Sequence, residues 1–561
     1  MRKTADGKSL VPLTLAAIFR GVTIVLVPLV GLGSDQVDKA NVTHHNVFAY
    51  HVDEHKFEDA RKLRNWLMNM SADEAEHVST ILYMSPQSLV EKKVKNKDGT
   101  DSENKRKSGW LELIEVLADR GYLSLFCIDE AHTINQCGRC FRPEFKEALS
   151  KITNIKNNLK DPIPTIAMSA TLRADDRKVL QDCLEVASPA IITGSLARRT
   201  VMAQCLISGD EVSSVKSSAI DNFKQDPHTQ MLLYTNSKTN AEGSLFNTAT
   251  TILEQNQRAG GPVTFAASMS GGDGIKSKTF ILKCFTCYGN LPQSESIQET
   301  TLHTTDEVRL VKIQCLTGTA AINCGISSNF LKHVKHKGLP PSLYDVVQEM
   351  GRVDRMLQAL CGTNTYEVNI SLHSGVSLFI RIMRGSDAPE RRRLLLDMQE
   401  VLMMFVTPEM CYHSFIELYF ELTPIDKEPC GTNCSFCRGD TLEFAGRFKK
   451  RALQSLLSTK ILANGKTPHY KEFVKSLKAD KAKIFHDDDI PGEKMGQIHA
   501  LVLILLAKGI IAFGISDSTK TGTKDLNDSH IILYLPNGTD EDGTSLPAYT
   551  IDSYWEGLNW I

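Results

Sequence analysis

With 561 residues, the chain is too long for a single hydrophobic core, and about three to five domains are expected. Its net charge of −2 excludes a uniformly basic surface, so any contact with nucleic acid has to come from local patches. The fourteen cysteines are too dilute for a small secreted disulfide scaffold and favour a reducing compartment in which some thiols bind metal.

Short β-rich runs separated by longer helix-like stretches dominate the first third of the chain. This alternation predicts βαβ units and a parallel sheet. The pattern restarts after about Gly194, which predicts a second α/β lobe. The predicted strands cover residues 22–27, 80–84, 123–128 and 165–168 in the first lobe, and 231–234, 263–266 and 311–316 in the second.

Two segments interrupt this pattern. Residues 91–107 are polar and rich in lysine, which predicts a mobile surface loop; a purely solvated loop and a contact with phosphate are both open. Residues 268–307 are poorly patterned and predict an insertion.

The last third of the chain is predicted to be mainly helical, as in residues 391–405. A helix-rich tail to about residue 510 and a late strand at 531–535 suggest a winged-helix-like or diverged domain over 441–561. The apolar run at 21–33 is too short to cross a bilayer, and the run at 498–515 is interrupted by Lys508 and Gly509. We therefore expect a soluble, intracellular protein with no membrane partner.

A candidate phosphate-binding loop begins at Thr4 and ends in Gly7-Lys8-Ser9. In such loops, backbone amides surround the phosphates, the lysine reaches the β- and γ-phosphates and the serine binds Mg²⁺. The tripeptide alone is common by chance. The strand that normally precedes such a loop does not fit into the three residues before Thr4, which predicts a truncated start.

An acidic pair follows the predicted strand at 123–128, in the sequence Asp129-Glu130-Ala131-His132. In a nucleotide site, an aspartate at this position completes the Mg²⁺ shell and a glutamate activates the attacking water. The alternative is a solvated acidic pair on the surface.

Two further motifs complete the series. Ser169 and Thr171 close the next strand, where a turn or helix cap is the alternative. Gln348, Arg352 and Arg355 occur at fixed offsets, and arginines facing a γ-phosphate stabilise phosphoryl transfer, although an exposed helix is the alternative. The order of all four motifs is that of a nucleic-acid motor whose site is divided between two lobes.

On these motifs, the chain resembles RecQ-type helicases over about residues 4–440. The segments that carry the resemblance are 7–10, 27–29, 35–37, 83–87, 129–145, 234–237, 319–326 and 339–355. The resemblance implies two tandem RecA-like lobes with parallel sheets, over residues 1–193 and 194–385. It also implies ATP and Mg²⁺ as cofactors, 3′–5′ movement on single-stranded DNA, unwinding of partly duplex DNA and, in a eukaryote, a nuclear location in repair or recombination.

The resemblance implies an aromatic-rich loop that couples DNA to hydrolysis by stacking on bases. Cys137 stands where the family has a tryptophan. Phe141 and Phe145 could equally be core residues. The residues assigned to DNA coupling are His132, Phe141, Arg142, Phe145, Ser169 and Thr171.

Four cysteines with the spacing C-x18-C-x3-C-x2-C predict a closed, structural zinc site within a module at 386–440. The family carries such a module at this place, although Tyr412 and His413 stand where it has basic residues. Other C-x2-C pairs, at 137/140 and 284/287, are better explained as unrelated free thiols. The predicted zinc ligands are Cys411, Cys430, Cys434 and Cys437.

Two other functions remain open. Ala5 and Asp6 stand where the family has glycines, and side chains resist the close backbone approach that phosphate binding needs. A DNA-binding protein or fragment with impaired catalysis is therefore one alternative, and an RNA helicase with the same lobes is the other.

Overall fold

The structure is a computed structural model that divides into two compact units. Unit one contains Met1–Leu196, Gly274–Phe280 and Glu417–Ile425, and unit two contains Ala197–Asp273, Ile281–Ile416 and Asp426–Ile561. The structure describes residues 8–27, 36–37, 40–41, 47–53, 57–90, 92–95, 101–106, 108–133, 143–159, 161–194, 196, 198–270, 273, 275–286, 288, 311–323, 328–353, 364–385, 388–420, 429–440, 469–479, 494–509, 511–515 and 531–534.

Unit one is built on a five-stranded parallel sheet with the order β2-β3-β1-β6-β7. Its strands, with an additional antiparallel pair β4 and β5, are β1 (Gly21–Leu26), β2 (Phe48–His51), β3 (Ser79–Met84), β4 (Lys92–Lys95), β5 (Asp101–Arg106), β6 (Leu123–Ile128) and β7 (Thr165–Ala167). The helices between them are α1 (Leu10–Phe19), α2 (Phe57–Asn69), α3 (Ala72–His77), α4 (Gly109–Asp119), α5 (Pro143–Asn157) and α6 (Ala174–Leu184).

The apolar residues of β1 alternate between two cores, one on each face of this sheet. Ile24 joins a cluster that includes Leu67 of α2 and Leu111 of α4. Val25 joins the second cluster, with Leu13 of α1. Successive side chains of a strand point to opposite faces, so a continuous apolar run indicates a sheet covered on both sides.

Unit two is built on a six-stranded parallel sheet with the order β10-β11-β9-β12-β13-β8. Its strands are β8 (Met202–Ile207), β9 (Gln230–Thr235), β10 (Phe265–Met269), β11 (Ile313–Gly318), β12 (Leu331–Lys337) and β13 (Thr365–Ile370). One core cluster joins Leu233 of β9 with Phe223 and Ile252.

The helices from here to the end of the described chain follow in order, with one late antiparallel pair of strands. They are α7 (Glu211–Gln225), α8 (Lys238–Glu242), α9 (Ser244–Arg258), α10 (Ile275–Thr286), α11 (Leu343–Met350), α12 (Leu372–Gly385), α13 (Ala388–Phe405), α14 (Tyr412–Tyr419), α15 (Ser435–Arg438), α16 (Tyr470–Ala479) and α17 (Lys494–Ala507). The late pair is β14 (Ala512–Ile515) with β15 (Ile531–Tyr534).

The predicted fold class is confirmed: two tandem α/β lobes have parallel sheets, and a four-cysteine cluster is present. The winged-helix-like tail stays a prediction, because much of 441–561 lies outside the described residues. The domain boundaries at 193, 385 and 440 also stay predictions. Among the helices that the structure describes, none is long and apolar enough to span a membrane.

One prediction about a segment needs correction. Residues 91–107, predicted as a loop, contain the antiparallel pair β4 and β5. This segment is polar and lacks a clean hydrophobic period, which is why the sequence did not show its strands. Residues 268–307, predicted as an insertion, contain the end of β10 and the whole of α10, and the insertion stays a prediction.

Candidate nucleotide site and cysteine cluster

The acidic pair lies at the carboxyl end of β6, the central region of the sheet in unit one. Asp129 is 4% exposed, and its amide donates a hydrogen bond to the carbonyl of Leu26 at 2.9 Å. Glu130 follows with φ of 48°, a left-handed conformation that non-glycine residues seldom adopt. Such strain is concentrated at functional sites, so this backbone turn is consistent with a site.

Two hydrogen bonds fix the Asp129 carboxylate. Gln36 Nε2 donates to Oδ2 at 2.9 Å, and the Glu130 amide donates to Oδ1 at 2.9 Å. Gln36 belongs to a segment that carries the family resemblance, but its sequence position alone assigned it no role. Gln36 is the residue that holds the carboxylate from outside its own strand.

Burial and, to a smaller extent, the neighbouring Glu130 charge raise the pKa of Asp129 to about 6, while Gln36, the Glu130 amide and Lys8 act in the opposite direction. Two carboxyl groups at a buried edge are short of positive charge. A divalent cation would supply that charge, so this donor set fits Mg²⁺, which binds through one or two carboxylates and substrate phosphates.

The predicted coupling residues His132, Ser169 and Thr171 are brought together behind this pair. His132 Nδ1 lies 3.0 Å from Ser169 Oγ and 3.3 Å from a carboxylate oxygen of Glu130. Ser169 Oγ donates to the Thr171 carbonyl at 2.8 Å and accepts from the Thr171 amide at 3.0 Å. Because the serine proton goes to that carbonyl, His132 Nδ1 is the donor to Ser169.

Lys8 and Ser9 lie directly before α1, which begins at Leu10. Lys8 is half-buried, and its charge acts on Asp129, which places the two groups in one electrostatic neighbourhood. Ser9 is exposed and already has helical backbone angles. The predicted phosphate-contact residues Thr4 and Gly7 lie outside the described residues.

The predicted aromatic-rich loop falls mostly outside the described residues, which include neither Phe141 nor Arg142. Phe145 is described and has no exposed surface; its ring packs in the core of unit one. A ring in that position supports the sheet and does not offer a face to a base. Phe145 is therefore a core residue, which is the alternative that the sequence left open.

Gln348 lies in the last turn of α11 in unit two, and Arg352 follows the end of that helix. Gln348 is half-buried and Arg352 is 5% exposed, while Arg355 lies outside the described residues. Between them stands Glu349, which the sequence did not single out. Its carboxylate is 2.9 Å from His336 Nδ1 and accepts the Tyr366 hydroxyl at 3.0 Å.

The four predicted zinc ligands converge in unit two, with their sulfur atoms all within 4.8 Å of one another. The sulfurs of Cys411 and Cys434 are 3.9 Å apart. Zinc–sulfur bonds in a tetrahedral site place the sulfurs about 3.8 Å apart. This donor set and spacing fit a structural zinc ion.

The turn that carries three of these cysteines is attached to β8. The Ala203 amide donates to the Asn433 carbonyl at 2.9 Å, and Asn433 Nδ2 donates to the Arg199 carbonyl at 2.6 Å. Gly431 and Gly439 have φ of 72° and 82°, so glycine is needed where the turn begins and ends. Of the other cysteines with C-x2-C spacing, Cys284 is buried, while Cys137, Cys140 and Cys287 lie outside the described residues.

Protonation within the cluster is uneven. A hydrogen bond from the Cys434 thiol lowers the pKa of Cys411 well below its usual range. Burial raises the pKa of Cys430, and the hydrogen bond to Cys411 raises that of Cys434. Zinc binding would release the protons that these thiols hold.

Comparison with known proteins confirms the resemblance to RecQ-type helicases. The chain is 22% identical over 455 residues to the ATP-dependent DNA helicase RecQ of Pasteurella multocida, which covers 81% of this chain and 59% of that protein. It is 23% identical over 441 residues to the Bacillus subtilis RecQ, covering 77% and 60%. It is 24% identical over 358 residues to the RecQ-like DNA helicase BLM of Xenopus laevis, covering 63% and 21%. The chain thus spans less than two thirds of each relative.

No family model matches the chain. Among solved structures, the helicase Lhr of Mycobacterium smegmatis bound to single-stranded DNA and AMP-PNP has a TM-score of 0.44 at 14% identity, covering 76% of this chain and 52% of that one. A DEAD-box helicase bound to single-stranded RNA has a TM-score of 0.44 at 13% identity, covering 74% and 81%. Both scores are low, and the fold follows from the strand order described above.

Proposed function

We propose that the chain is an ATP-dependent DNA helicase of RecQ type, which couples ATP hydrolysis to 3′–5′ translocation on single-stranded DNA and to unwinding of partly duplex DNA. The observation that supports this most is the buried Asp129–Glu130 pair, linked through His132 to Ser169. A solvated surface pair, the alternative, has neither the burial of Asp129 nor a link to a residue that follows the next strand.

In this proposal, Asp129 and the loop before α1 hold the nucleotide. Lys8 neutralises phosphate charge, Ser9 and Asp129 complete the shell of Mg²⁺, and Gln36 keeps the Asp129 carboxylate oriented. Bound Mg²⁺ supplies positive charge to the phosphate oxygens. The residues assigned to nucleotide binding are Thr4, Gly7, Lys8, Ser9 and Asp129.

Glu130 accepts a proton from the attacking water. His132 lies beside Glu130 and transmits changes at Ser169 to it. Gln348, Arg352 and Arg355 stabilise the charge that develops on the transferred phosphoryl group. Phe141 and Arg142 contact single-stranded DNA, and Ser169 and Thr171 transmit that contact to His132. Phe145 acts from the core, by supporting α5 against the sheet. The four cysteines hold a structural zinc ion.

The first experiment is the ATPase rate of the purified, zinc-loaded chain with and without single-stranded DNA. Lys8→Ala and Glu130→Gln should each abolish hydrolysis, because one removes phosphate charge compensation and the other removes the base. Lys62→Ala, at an exposed position of α2, is the matched control and should hydrolyse ATP like the unmodified chain.

A folded chain that binds DNA but does not hydrolyse ATP would contradict the enzyme claim and leave a helicase-derived DNA-binding protein. Unwinding of substrates with a 3′ or a 5′ single-stranded tail tests the direction. Competition between DNA and RNA of one sequence tests the substrate, and a stronger stimulation by RNA would replace the DNA helicase with an RNA helicase.

A further inference from the structure

The antiparallel pair β4 and β5 begins at the same edge of the sheet in unit one as the candidate nucleotide site. β3 ends at Met84, a short 3-10 helix covers Pro86–Leu89, and β4 begins at Lys92. β1, β3 and β6 are parallel, so Met84 and Asp129 lie at the same, carboxyl edge of the sheet. Ligands of open α/β sheets bind at this edge.

The base of the pair is fastened to the sheet. The Ser85 amide donates to Asp53 Oδ2 at 2.7 Å, and the Ser88 hydroxyl donates to the other oxygen of the same carboxylate. On the return side, the Ser108 hydroxyl donates to the Ser88 carbonyl. The chain therefore enters and leaves the β4–β5 pair at one anchored point, which fixes where the pair emerges.

The sequence of the pair concentrates positive charge. Five of the ten strand residues are basic and two are acidic, in a chain whose net charge is −2. In the register, Lys92 stands opposite Arg106 and Lys93 opposite Lys105, while the third pair, Lys95 and Asp101, has unlike charges. Like charges at opposite positions of an antiparallel pair destabilise it. An anionic partner would offset the repulsion expected at these two like-charged positions.

We propose that the β4–β5 pair is a second nucleic-acid contact, which binds the phosphodiester backbone of DNA independently of the nucleotide. Phosphate contacts fix position without reading sequence, and charge alone suffices for them. An anionic membrane surface is the other polyanion of comparable charge, but interfacial binding also needs apolar residues. Val94 is the one apolar residue in the two strands, so a nucleic-acid backbone is the partner that this composition fits, and the choice of DNA rests on the proposed function.

The test is equilibrium binding of a fluorescein-labelled single-stranded DNA to the full chain, without ATP, over a range of salt concentrations. A variant with four substitutions, Lys92→Gln, Lys93→Gln, Lys105→Gln and Arg106→Gln, should bind at least tenfold more weakly at low salt. Its slope of log affinity against log salt should be shallower by about 2 to 3, because each single-strand phosphate that the variant no longer neutralises lowers the slope by about 0.7.

A matched control removes the same charge from exposed helix positions of unit one, by Arg61→Gln, Lys62→Gln, Lys146→Gln and Lys178→Gln. The control should keep the affinity and the slope of the unmodified chain. An equal loss in both variants would show an effect of net charge only and would overturn the proposal. An unchanged slope in the β4–β5 variant, folded by circular dichroism, would overturn it as well.

Vesicle binding and a second variant distinguish this proposal from its alternatives. Binding to phosphatidylserine vesicles that is lost in the β4–β5 variant, while DNA binding is not, would assign the pair to a membrane and overturn the proposal. Because no ATP is present, the outcome does not depend on hydrolysis. Should the quadruple variant fail to fold, replacing residues 91–107 by a Gly-Ser linker provides the second variant, with the same expected decrease in affinity and slope.

Discussion

His132 and Ser169 are joined by a 3.0 Å hydrogen bond although 37 residues separate them in the sequence. The bond ties the residues after β6 to those after β7. His132 is in turn 3.3 Å from Glu130, so the serine hydroxyl is two contacts away from the proposed base. A disturbance at the end of β7 can therefore reach Glu130 through one imidazole ring.

Ser169→Ala should weaken the stimulation of ATP hydrolysis by DNA more than basal hydrolysis. A hydrogen bond of this kind contributes about 1 kcal/mol, so the ratio of stimulated to basal rate should fall about fivefold. The measurement is the steady-state ATPase rate with and without single-stranded DNA.

Ser124→Ala is the control for that measurement, because Ser124 lies on β6 itself and bonds to the Val22 carbonyl near the other end of the strand. The control should keep the stimulation ratio of the unmodified chain. Equal ratios in both variants would mean that the hydroxyl of Ser169 does not carry the signal.

Glu349→Ala should lower kcat for ATP about tenfold and change KM little. Glu349 is 2% exposed and is held by His336 and Tyr366, so its loss frees the end of α11, with Gln348 in its last turn and Arg352 after it. A loss of about 1.4 kcal/mol of transition-state stabilisation corresponds to this factor. Glu349→Gln retains a hydrogen-bonding group and should recover most of kcat, which a purely charge-based role would not allow.

Steady-state kinetics of both variants, beside Glu254→Ala on the exposed face of α9, provide the measurement. A kcat in Glu349→Ala equal to that of the Glu254 control would contradict the positioning role.

The sequence predicted those features that local patterns determine. Apolar runs predicted β1, β6 and β9, strand-end acids predicted Asp129 and Glu130, and spacing predicted the cysteine cluster. The sequence did not predict the role of Glu349, because its partners lie on β12 and β13 and such contacts produce no local sequence pattern. The sequence did not predict the strands of the β4–β5 pair, because lysine, aspartate and asparagine have low strand propensity.

Cys434→Ser should reduce the zinc content below one ion per chain and lower the melting temperature by roughly 10 °C, because a structural zinc ion contributes folding energy. Cys434 is fully buried, and the turn that contains it is attached to β8 through Asn433. Cys183→Ser removes a half-buried thiol outside the cluster and is the control. Full zinc content in Cys434→Ser would remove this residue from the ligand set.

Lys335→Met should destabilise unit two by about 3 to 5 kcal/mol, because it leaves a buried carboxylate without its cation. Lys335 and Glu367 are 1% and 0% exposed, with Nζ and Oε2 3.1 Å apart. Gln204 and Ser218 also donate to Glu367, each at 2.6 Å. Adding Glu367→Gln to Lys335→Met removes the charge and keeps these donors, so urea unfolding should show the double variant to be more stable than the single one. The reverse order would contradict the proposed cost of the unpaired charge.

His333 should make unit two less stable in mild acid. Burial, together with the smaller effects of the Lys335 and Lys332 charges, lowers the pKa of His333 to about 3, and its Nδ1 lies 2.8 Å from the Thr365 hydroxyl. The unfolded chain binds a proton below about pH 6.5, which the folded chain cannot accept until about pH 3. Stability is therefore fully present above pH 6.5 and decreases as the pH falls, by about 2 kcal/mol between pH 8 and pH 5.

The measurement compares urea unfolding of the unmodified chain and His333→Gln at both pH values. Glutamine does not titrate and can still bond to Thr365, so the unmodified chain should lose about 2 kcal/mol more stability than the variant between pH 8 and pH 5. His77→Gln, at an exposed end of α3, is the control and should follow the unmodified chain. Parallel pH profiles for His333→Gln and the unmodified chain would mean that His333 is not the group whose protonation opposes folding.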